Sequence, residues 1–177
     1  MDKFDIVNGK KLRYGFTTGS CATAGAKAAC EMLFNNRKVD FIKIKLINGE
    51  LRNIEVENLL VKDEYVEAAI IKDAGDDPDI TNGIEIRVQV RKIKETEINI
   101  IGGVGVGKVT KKGLNQAVGQ WAINSGPRQM IKENLKEYIE NKDFGVEVKV
   151  IVPSGEEVAK KTLNEKLGII GGISILG

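Results

Sequence analysis

The centre of the chain alternates apolar and polar residues with a period of two, which predicts β-strands. This alternation is clear in residues 41–47 (FIKIKLI) and 51–57 (LRNIEVE), which flank an Asn-Gly-Glu turn and therefore predict a hairpin. Strands are also predicted at residues 65–72, 84–93, 97–103 and 146–152. Because alternation puts one kind of residue on each face, the pattern indicates a sheet with one buried face and one wet face.

Two segments with helical spacing lie on either side of this strand region. Residues 20–34 are rich in Ala, Lys, Glu, Met and Leu, and Thr18 or Ser20 is expected to be the N-cap. Residues 125–139 carry an apolar stripe, with Ser125 as the expected N-cap. Two helices beside alternating strands favour an α+β arrangement.

The end of the chain predicts a third helix and a last strand. Residues 155–168 have helical spacing that would turn Leu163 and Leu167 inward, and Ser154 with Glu157 fits a capping box. Residues 169–177 are apolar and interrupted by glycines, which is typical of a buried strand. Residues 1–177 therefore predict a single α+β domain with a mixed, largely antiparallel sheet and helices packed on one face.

Composition and net charge limit the kinds of function and site that the chain can have. The 177 residues carry a net charge of +2 and only 5% aromatic residues, which argues against a dedicated nucleic-acid binder. There is no histidine, so histidine-dependent catalytic triads and most zinc sites are excluded, and no metal site is predicted. Cys21 and Cys30 would face opposite sides of a helix, which fits free thiols in a reducing cytoplasm. No signal peptide or membrane span is expected.

A glycine-rich stretch, GGVGVGKVT (residues 102–110), follows a predicted strand. Gly102 to Lys108 matches the G-x-x-x-x-G-K pattern of phosphate-binding loops, but the position after the lysine is Val109, where a magnesium-binding Ser or Thr is needed. The segment that follows is also a poor helix, so a nucleotide loop is not favoured. Two interpretations stay open: a turn after a strand, or a loop whose glycines let the backbone approach a bulky ligand.

Four aspartates lie close together in residues 72–83 (KDAGDDPDITNG), and they are Asp73, Asp76, Asp77 and Asp79. They fit a solvated turn, because Asp, Gly and Pro supply turn geometry. The spacing of a calcium loop is absent. Crowded carboxylates repel each other, which raises the pKa of at least one and can prepare it to accept or donate a proton.

Two further stretches are candidates for anion binding. Thr17, Thr18, Gly19 and Ser20 precede or open the first helix, where unpaired N–H groups bind anions, although ordinary helix capping explains them as well. A helix N-terminus can also activate a thiol such as Cys21, but a buried structural cysteine is favoured.

Arg128 lies in the first turn of the second helix, where its charge opposes the helix dipole. This placement predicts a carboxylate-binding role, and a solvated arginine is the alternative.

Together these motifs are more specific than any one of them. LRYGFTTGSCATAGAKAA, KDAGDDPDITNG, GGVGVGKVTKKGL, INSGPRQMI and VPSGEEVAKKTLNEKLGIIGGISILG occur in this order. The series resembles the cobalt-precorrin-5B C1-methyltransferase family (CbiD) of anaerobic cobalamin biosynthesis, from about Leu12 to Gly177. Members of that family are about twice as long, so the resemblance implies an N-terminal half without a C-terminal Rossmann-like half.

The resemblance implies methyl transfer from S-adenosyl-L-methionine to C1 of a cobalt-containing tetrapyrrole, with cobalt present only as part of the substrate. It implies catalytic or cofactor-binding roles for Asp73, Asp76 and Asp77. The substrate or cofactor would be bound by the other site candidates, Thr17, Thr18, Gly19, Ser20, Gly103, Gly105, Gly107, Lys108 and Arg128. Homodimerisation, or association with a missing C-terminal half, is a further expectation. A non-catalytic corrinoid-binding or partner-binding module is the alternative function.

Overall fold

The elements of the fold are given by a computed structural model that describes residues 4–177. In chain order they are β1 (Phe4–Val7), β2 (Lys10–Arg13), α1 (Thr18–Asn35), β3 (Phe41–Lys45), β4 (Leu51–Glu55), β5 (Asn58–Val61), β6 (Val66–Ile71), β7 (Glu85–Ile93), β8 (Ile98–Gly102), β9 (Gly105–Val106), β10 (Lys108–Val109), α2 (Ser125–Ile139), β11 (Gly145–Ile151), α3 (Gly155–Ala159), α4 (Asn164–Leu167), β12 (Ile169–Ile170) and β13 (Gly172–Ile173). Short strand pairs surround one larger sheet.

Within residues 4–177 the largest sheet has five strands in the order β5, β6, β7, β11, β8. Its neighbours are antiparallel except for β11 and β8, which run parallel. Along β7 the side chains of Ile86, Val88 and Val90 are buried, whereas Arg87 and Arg91 on the other face are exposed. The sheet is therefore mixed and largely antiparallel, with one buried face, as the alternation predicts.

Helices cover the buried face. The alanine-rich α1 packs against β6 and β7, and α2 packs against α1. Gly25 allows the close approach, because a Cβ at this position would lie 2.7 Å from a methyl carbon of Val88. The predicted α+β class is confirmed, and so are the paired β3 and β4 and the bounds of α2.

The predicted N-caps are wrong. The N-cap of α1 is Thr17, whose Oγ1 accepts a hydrogen bond from the Ser20 amide at 3.0 Å, so neither Thr18 nor Ser20 caps the helix. The N-cap of α2 is Asn124 instead of Ser125, and its side chain makes no capping bond. Thr17 has extended backbone dihedrals, which an N-cap requires and a helical residue lacks.

The predicted third helix, residues 155–168, is also wrong, because it is split into the short α3 and α4. After α3 the Thr162 hydroxyl donates to the Ala159 carbonyl at 2.7 Å, a local bond that competes with helix continuation. Ser154 makes no capping bond. Leu163 and Leu167 are 63% and 51% exposed, so they do not turn inward.

The N-terminal hairpin is a structural element that sequence reasoning missed. Strands β1 and β2 pair in antiparallel register around Asn8 and Gly9, which both have positive φ angles (51° and 76°). Such angles at both central positions are those of a type I′ turn, which suits the twist of a two-residue hairpin. Most of its residues are exposed, so the hairpin stands beside the sheet and not within it.

Candidate functional site

A cavity of about 750 Å³ lies where five segments meet. The segments are the N-terminal hairpin with the residues that follow it, the start of α1, the aspartate loop (residues 73–82), residues 162–164 at the start of α4, and the C-terminal segment (residues 172–177). The volume is within the roughly 300–1,000 Å³ of small-molecule sites. Apolar side chains such as Phe16 and Ile173 share its wall with carboxylates and hydroxyls.

The C-terminal segment closes against the start of α1. The Leu176 carbonyl accepts a hydrogen bond from the Gly19 amide at 2.7 Å, and the Leu176 amide donates to Thr18 Oγ1 at 2.8 Å. A Cβ on Gly19 would lie 2.6 Å from the Leu176 carbonyl oxygen and from a ring carbon of Pro127. Gly19 is therefore required for this contact between segments.

The predicted helix-start site is thus only partly available to a ligand. Thr17 and Thr18 line the cavity. The Gly19 and Ser20 amides bond to Leu176 and to Thr17, so these two donors are satisfied within the protein. The Thr17 and Thr18 hydroxyls are also bonded within the protein, to Ser20 and to Leu176. An anion role for these four residues stays a prediction.

Asp73 joins the aspartate loop to the hairpin. Arg13 donates two hydrogen bonds from its guanidinium to the Asp73 carboxylate, at 2.6 Å and 2.8 Å. These bonds from Arg13 hold the pKa of Asp73 below its usual value, although partial burial acts in the opposite direction. Asp73 lines a neighbouring cavity of about 460 Å³ and not the larger one. Its geometry is that of a structural ion pair.

Asp76 and Asp77 both line the larger cavity and are exposed. The Asp76 carboxylate accepts a hydrogen bond from the Arg13 backbone amide at 2.7 Å, which orients it toward the hairpin. The Asp77 carboxylate has no hydrogen bond or ion pair within residues 4–177 of the structure. Asp77 is therefore the candidate aspartate that is most available to a ligand.

Lys72 and Asp79 also line the cavity. Sequence reasoning identified Asp79 only as one of four crowded aspartates, and it assigned no role to Lys72. Lys72 Nζ lies 2.6 Å from Asp79 Oδ2, and the lysine side chain is only 2% exposed. Burial raises the pKa of Asp79, but hydrogen bonds from Lys72 and Thr81 outweigh it and hold that pKa below its usual value. A lysine at the end of a predicted strand gives no local signal that it is buried.

The glycine stretch is not part of the cavity wall. Gly105 has a φ of +77°, and a Cβ there would overlap the Val152 carbonyl oxygen. A Cβ on Gly107 would collide with Ile169, and one on Gly103 would lie 2.9 Å from Ile151. These glycines let the backbone pack closely against other parts of the same chain. Such packing fits the interpretation of the stretch as a turn after a strand, and a role in ligand binding stays a prediction.

The two predicted carboxylate-binding cations also lie outside the cavity lining. Lys108 Nζ is 4.3 Å from the centroid of the Trp121 ring, which is cation–π geometry. Arg128 Nε and Nη1 donate to the carbonyls of Ile123 and Ile100, at 2.9 Å and 3.1 Å. The structure therefore gives both residues contacts within the protein, and their binding roles stay predictions.

Both cysteines are free and buried. Burial raises the pKa of the Cys21 thiol to about 12, and it raises the pKa of Cys30 as well. Neither thiol is poised to act as a nucleophile, which agrees with the structural interpretation. Among residues 4–177 no cluster of carboxylates and thiols is arranged to bind a metal ion. No helix in the described part of the chain is long and apolar enough to cross a membrane.

The mixed α+β fold thus carries a cavity of the size of small-molecule sites, walled by carboxylates, hydroxyls and apolar side chains. The model of the CbiD family matches residues 5–177, so the chain belongs to the CbiD family.

Curated relatives and a solved structure agree with this assignment. The chain is 48% identical to cobalt-precorrin-5B C(1)-methyltransferase of Ruminiclostridium cellulolyticum over 100% of its length, which is 46% of that protein. It is 50% identical to the protein of the same name from Alkaliphilus metalliredigens, again over 100% of the chain and 47% of the relative.

The crystal structure of the cobalamin biosynthesis protein (cbiD) from Archaeoglobus fulgidus superimposes with a TM-score of 0.74 at 36% identity. That match covers 98% of this chain and 55% of the other. The chain thus spans about half the length of the relatives it matches.

Proposed function

We propose that this chain takes part in the S-adenosyl-L-methionine-dependent methylation of cobalt-precorrin-5B at C1, a step of anaerobic cobalamin biosynthesis. The proposal rests on one observation: the whole chain matches relatives that are named for this reaction. Because the chain spans about half of those relatives, the complete activity is assigned to a protein that also contains the remaining half.

The cavity residues fit a cationic methyl donor. S-adenosyl-L-methionine supplies a methyl group on a positively charged sulfonium. Asp77 has a carboxylate at the cavity wall without a partner in residues 4–177, and Asp76 lies next to it. Their negative charge would bind and orient a cation by Coulomb attraction, and orientation is the main requirement for in-line transfer to carbon.

The substrate proposal rests on the polar rim and apolar wall of the same cavity. Thr17 and Thr18 bring hydroxyl groups to the start of α1, where helix N–H dipoles favour negative groups such as the side-chain carboxylates of a tetrapyrrole. Phe16, Ile173 and Leu176 supply apolar surface for the macrocycle or for an adenine ring. Cobalt would enter with the substrate.

A non-catalytic corrinoid-binding or partner-binding module is the second candidate. It is favoured by one observation, that the chain covers only 46–47% of the relatives that are named as methyltransferases. In this case the cavity would bind the tetrapyrrole, and the methyl donor would be bound by the remaining half.

Isothermal titration of the 177-residue chain separates the two candidates. The ligands are S-adenosyl-L-methionine and cobyrinic acid, a cobalt corrinoid with free carboxylate side chains. The methyltransferase proposal predicts that both bind, and Asp77→Asn should weaken S-adenosyl-L-methionine about fivefold, or ~1 kcal/mol, because one nearby charge is lost.

Asp63→Asn is the matched control, since Asp63 is an exposed aspartate outside the cavity lining. Binding of the corrinoid alone would assign the chain to the non-catalytic module. If neither ligand bound, the methyltransferase and the corrinoid-binding candidates would both be wrong for this cavity, and only the partner-binding module would remain.

A further inference from the structure

Lys72 is a charged residue on the otherwise apolar face of a central strand. Val66, Ala68 and Ile70 alternate along β6 on the buried face, and Lys72 continues that face one position beyond the strand. Its side chain is 2% exposed. Burying an ammonium group is costly unless a counter-charge and hydrogen bonds compensate for the lost water.

Asp79 supplies that compensation and is itself held on both oxygens. Its Oδ2 accepts from Lys72 Nζ at 2.6 Å. Its Oδ1 accepts from the Thr81 amide at 2.7 Å and from the Thr81 hydroxyl at 2.6 Å. The carboxylate therefore joins the buried lysine to the turn that follows it.

Backbone bonds hold the ends of the aspartate loop, and its middle is held by backbone bonds and side chains together: the Asp76 amide donates to the Arg13 carbonyl at 3.0 Å, and the Asp79 amide donates to the Asp77 carbonyl at 2.8 Å. The Lys72 amide donates to the Ile84 carbonyl at 2.9 Å, and the Gly83 amide donates to the Lys72 carbonyl at 2.7 Å. Between these ends, Asp76 is bonded to the Arg13 backbone from the hairpin side. From the core side, the Lys72–Asp79 pair anchors the part of the loop that follows Asp77.

We propose that Lys72 is a positioning residue, which acts through Asp79 to hold the aspartate loop so that Asp76 and Asp77 face the cavity. The inference rests on the proposed function for its ligand, the cationic methyl donor. A buried ion pair is weak evidence for added stability, because apolar residues of similar volume often replace one without loss. The pair joins the buried end of β6 to the part of the loop that follows Asp77, and so adds a link to the core beside the backbone bonds of the loop.

The test uses the variants Lys72→Met, Asp79→Asn and the double variant of the 177-residue chain. Hydrogen exchange of residues 73–82 reports whether the loop is held. The affinities for S-adenosyl-L-methionine and for S-adenosylhomocysteine, whose sulfur carries no charge, are compared by titration. A difference between them reports whether the carboxylates are placed to recognise the sulfonium. Lys27→Met is the matched control, because Lys27 also forms a carboxylate pair, at 3.2 Å to Glu137, outside the cavity lining.

Each single variant is expected to speed exchange in the loop and to weaken S-adenosyl-L-methionine about fivefold to tenfold, as expected for displaced nearby charges. S-adenosylhomocysteine affinity should change by less than about twofold, because its sulfur carries no charge. The double variant should be no worse than either single variant, since the two residues act as one unit. Lys27→Met should change none of these quantities.

Unchanged exchange in the loop would overturn the proposal, and so would an equal loss of affinity for both ligands, which indicates general damage. Faster exchange with unaltered ligand preference would also overturn it, because Lys72 would then order a loop without positioning the carboxylates for a ligand. If the unaltered chain binds neither ligand, the donor-site part of the proposed function fails, and the exchange measurement still decides whether Lys72 and Asp79 hold the loop.

Discussion

At the scale of single residues, four neighbouring aspartates have different environments. Asp73 is bound by the Arg13 guanidinium, Asp79 is bound by Lys72 and Thr81, and Asp76 accepts one bond from a backbone amide. Of these four, Asp77 is the one whose carboxylate has no partner within residues 4–177. Residue type and spacing are thus a poor guide to role here, because the partner of each carboxylate comes from elsewhere in the fold.

Cys21 and Cys30 lead to a prediction on thiol reactivity. Both are 0% exposed, and burial raises the pKa of Cys21 to about 12, so little thiolate is present at neutral pH. The native chain should therefore react with iodoacetamide only slowly near neutral pH, whereas the chain unfolded in guanidinium should react at both positions. Mass spectrometry of the alkylated peptides measures this, and rapid labelling of native Cys21 would contradict the buried environment.

At the scale of elements, short strands are held in place by glycines. Strand β9 pairs in parallel with β13, and Gly105 of β9 pairs with Gly172 of β13. A Cβ on Gly105 would overlap the Val152 carbonyl oxygen, and a Cβ on Gly172 would overlap the carbonyl of Gly105. The glycines therefore let β9 pack against Val152, which follows β11, and let the C-terminal segment pair with β9. The C-terminal segment in turn lines one side of the cavity.

Gly105→Ala is expected to destabilise the chain by about 3 kcal/mol or more, because it combines a positive φ with a backbone collision. Gly113→Ala is the matched control: Gly113 also has a positive φ (+99°), but a Cβ on it would have no atom within 4 Å. Gly113→Ala should lower the free energy of unfolding by only about 1–2 kcal/mol. Urea unfolding followed by circular dichroism measures both, and equal losses would show that the close packing at Gly105 is unimportant.

At the scale of the whole molecule, the cavity depends on contacts between segments that are far apart in sequence. Arg13 and Asp73 join the hairpin to the aspartate loop, and Leu176 joins the C-terminal segment to Thr18 at the start of α1. Each joint fixes one wall relative to another. Backbone bonds reinforce both contacts: the Asp76 amide donates to the Arg13 carbonyl, and the Gly19 amide donates to the Leu176 carbonyl.

The Arg13–Asp73 joint predicts a specific acid sensitivity. The pKa of Asp73 is lower in the folded chain than in the unfolded chain, where it is about 3.9, so the unfolded state binds the proton more readily. The stabilisation is therefore fully present above about pH 4 and is lost as the pH falls through the folded pKa. Asp73→Asn should lower the free energy of unfolding at about pH 6. Between about pH 5 and about pH 2, the variant should then lose less of this free energy than the unaltered chain does.

Melting temperatures over this pH range measure the effect. Asp143→Asn, a change at an exposed aspartate ahead of β11, is the control. An unchanged pH dependence in Asp73→Asn would show that the ion pair does not contribute to stability.

Much of the fold could be predicted from the sequence because it depends on local periodicity. The bounds of α2 and the strands β3, β4, β6, β7, β8 and β11 follow from apolar spacing of about 3.6 or 2. The prediction of one continuous third helix is wrong since its break depends on a local Thr162 bond that competes with a weak periodic pattern. The exposed β1–β2 hairpin escapes prediction because it lacks a buried face and therefore shows little apolar alternation.

The sequence by itself determined the fold class, the family resemblance and the short set of motifs that contain the candidate site residues. Only the tertiary structure decided which motif residues meet: it brings Asp76, Asp77, Thr17 and Thr18 to one cavity, and it leaves Gly105, Lys108 and Arg128 outside the cavity lining. The physical reason is that strands and helices form from regularities a few residues apart, whereas the cavity is made by pairs such as Thr18 and Leu176, which are 158 positions apart. No local pattern encodes such a distance.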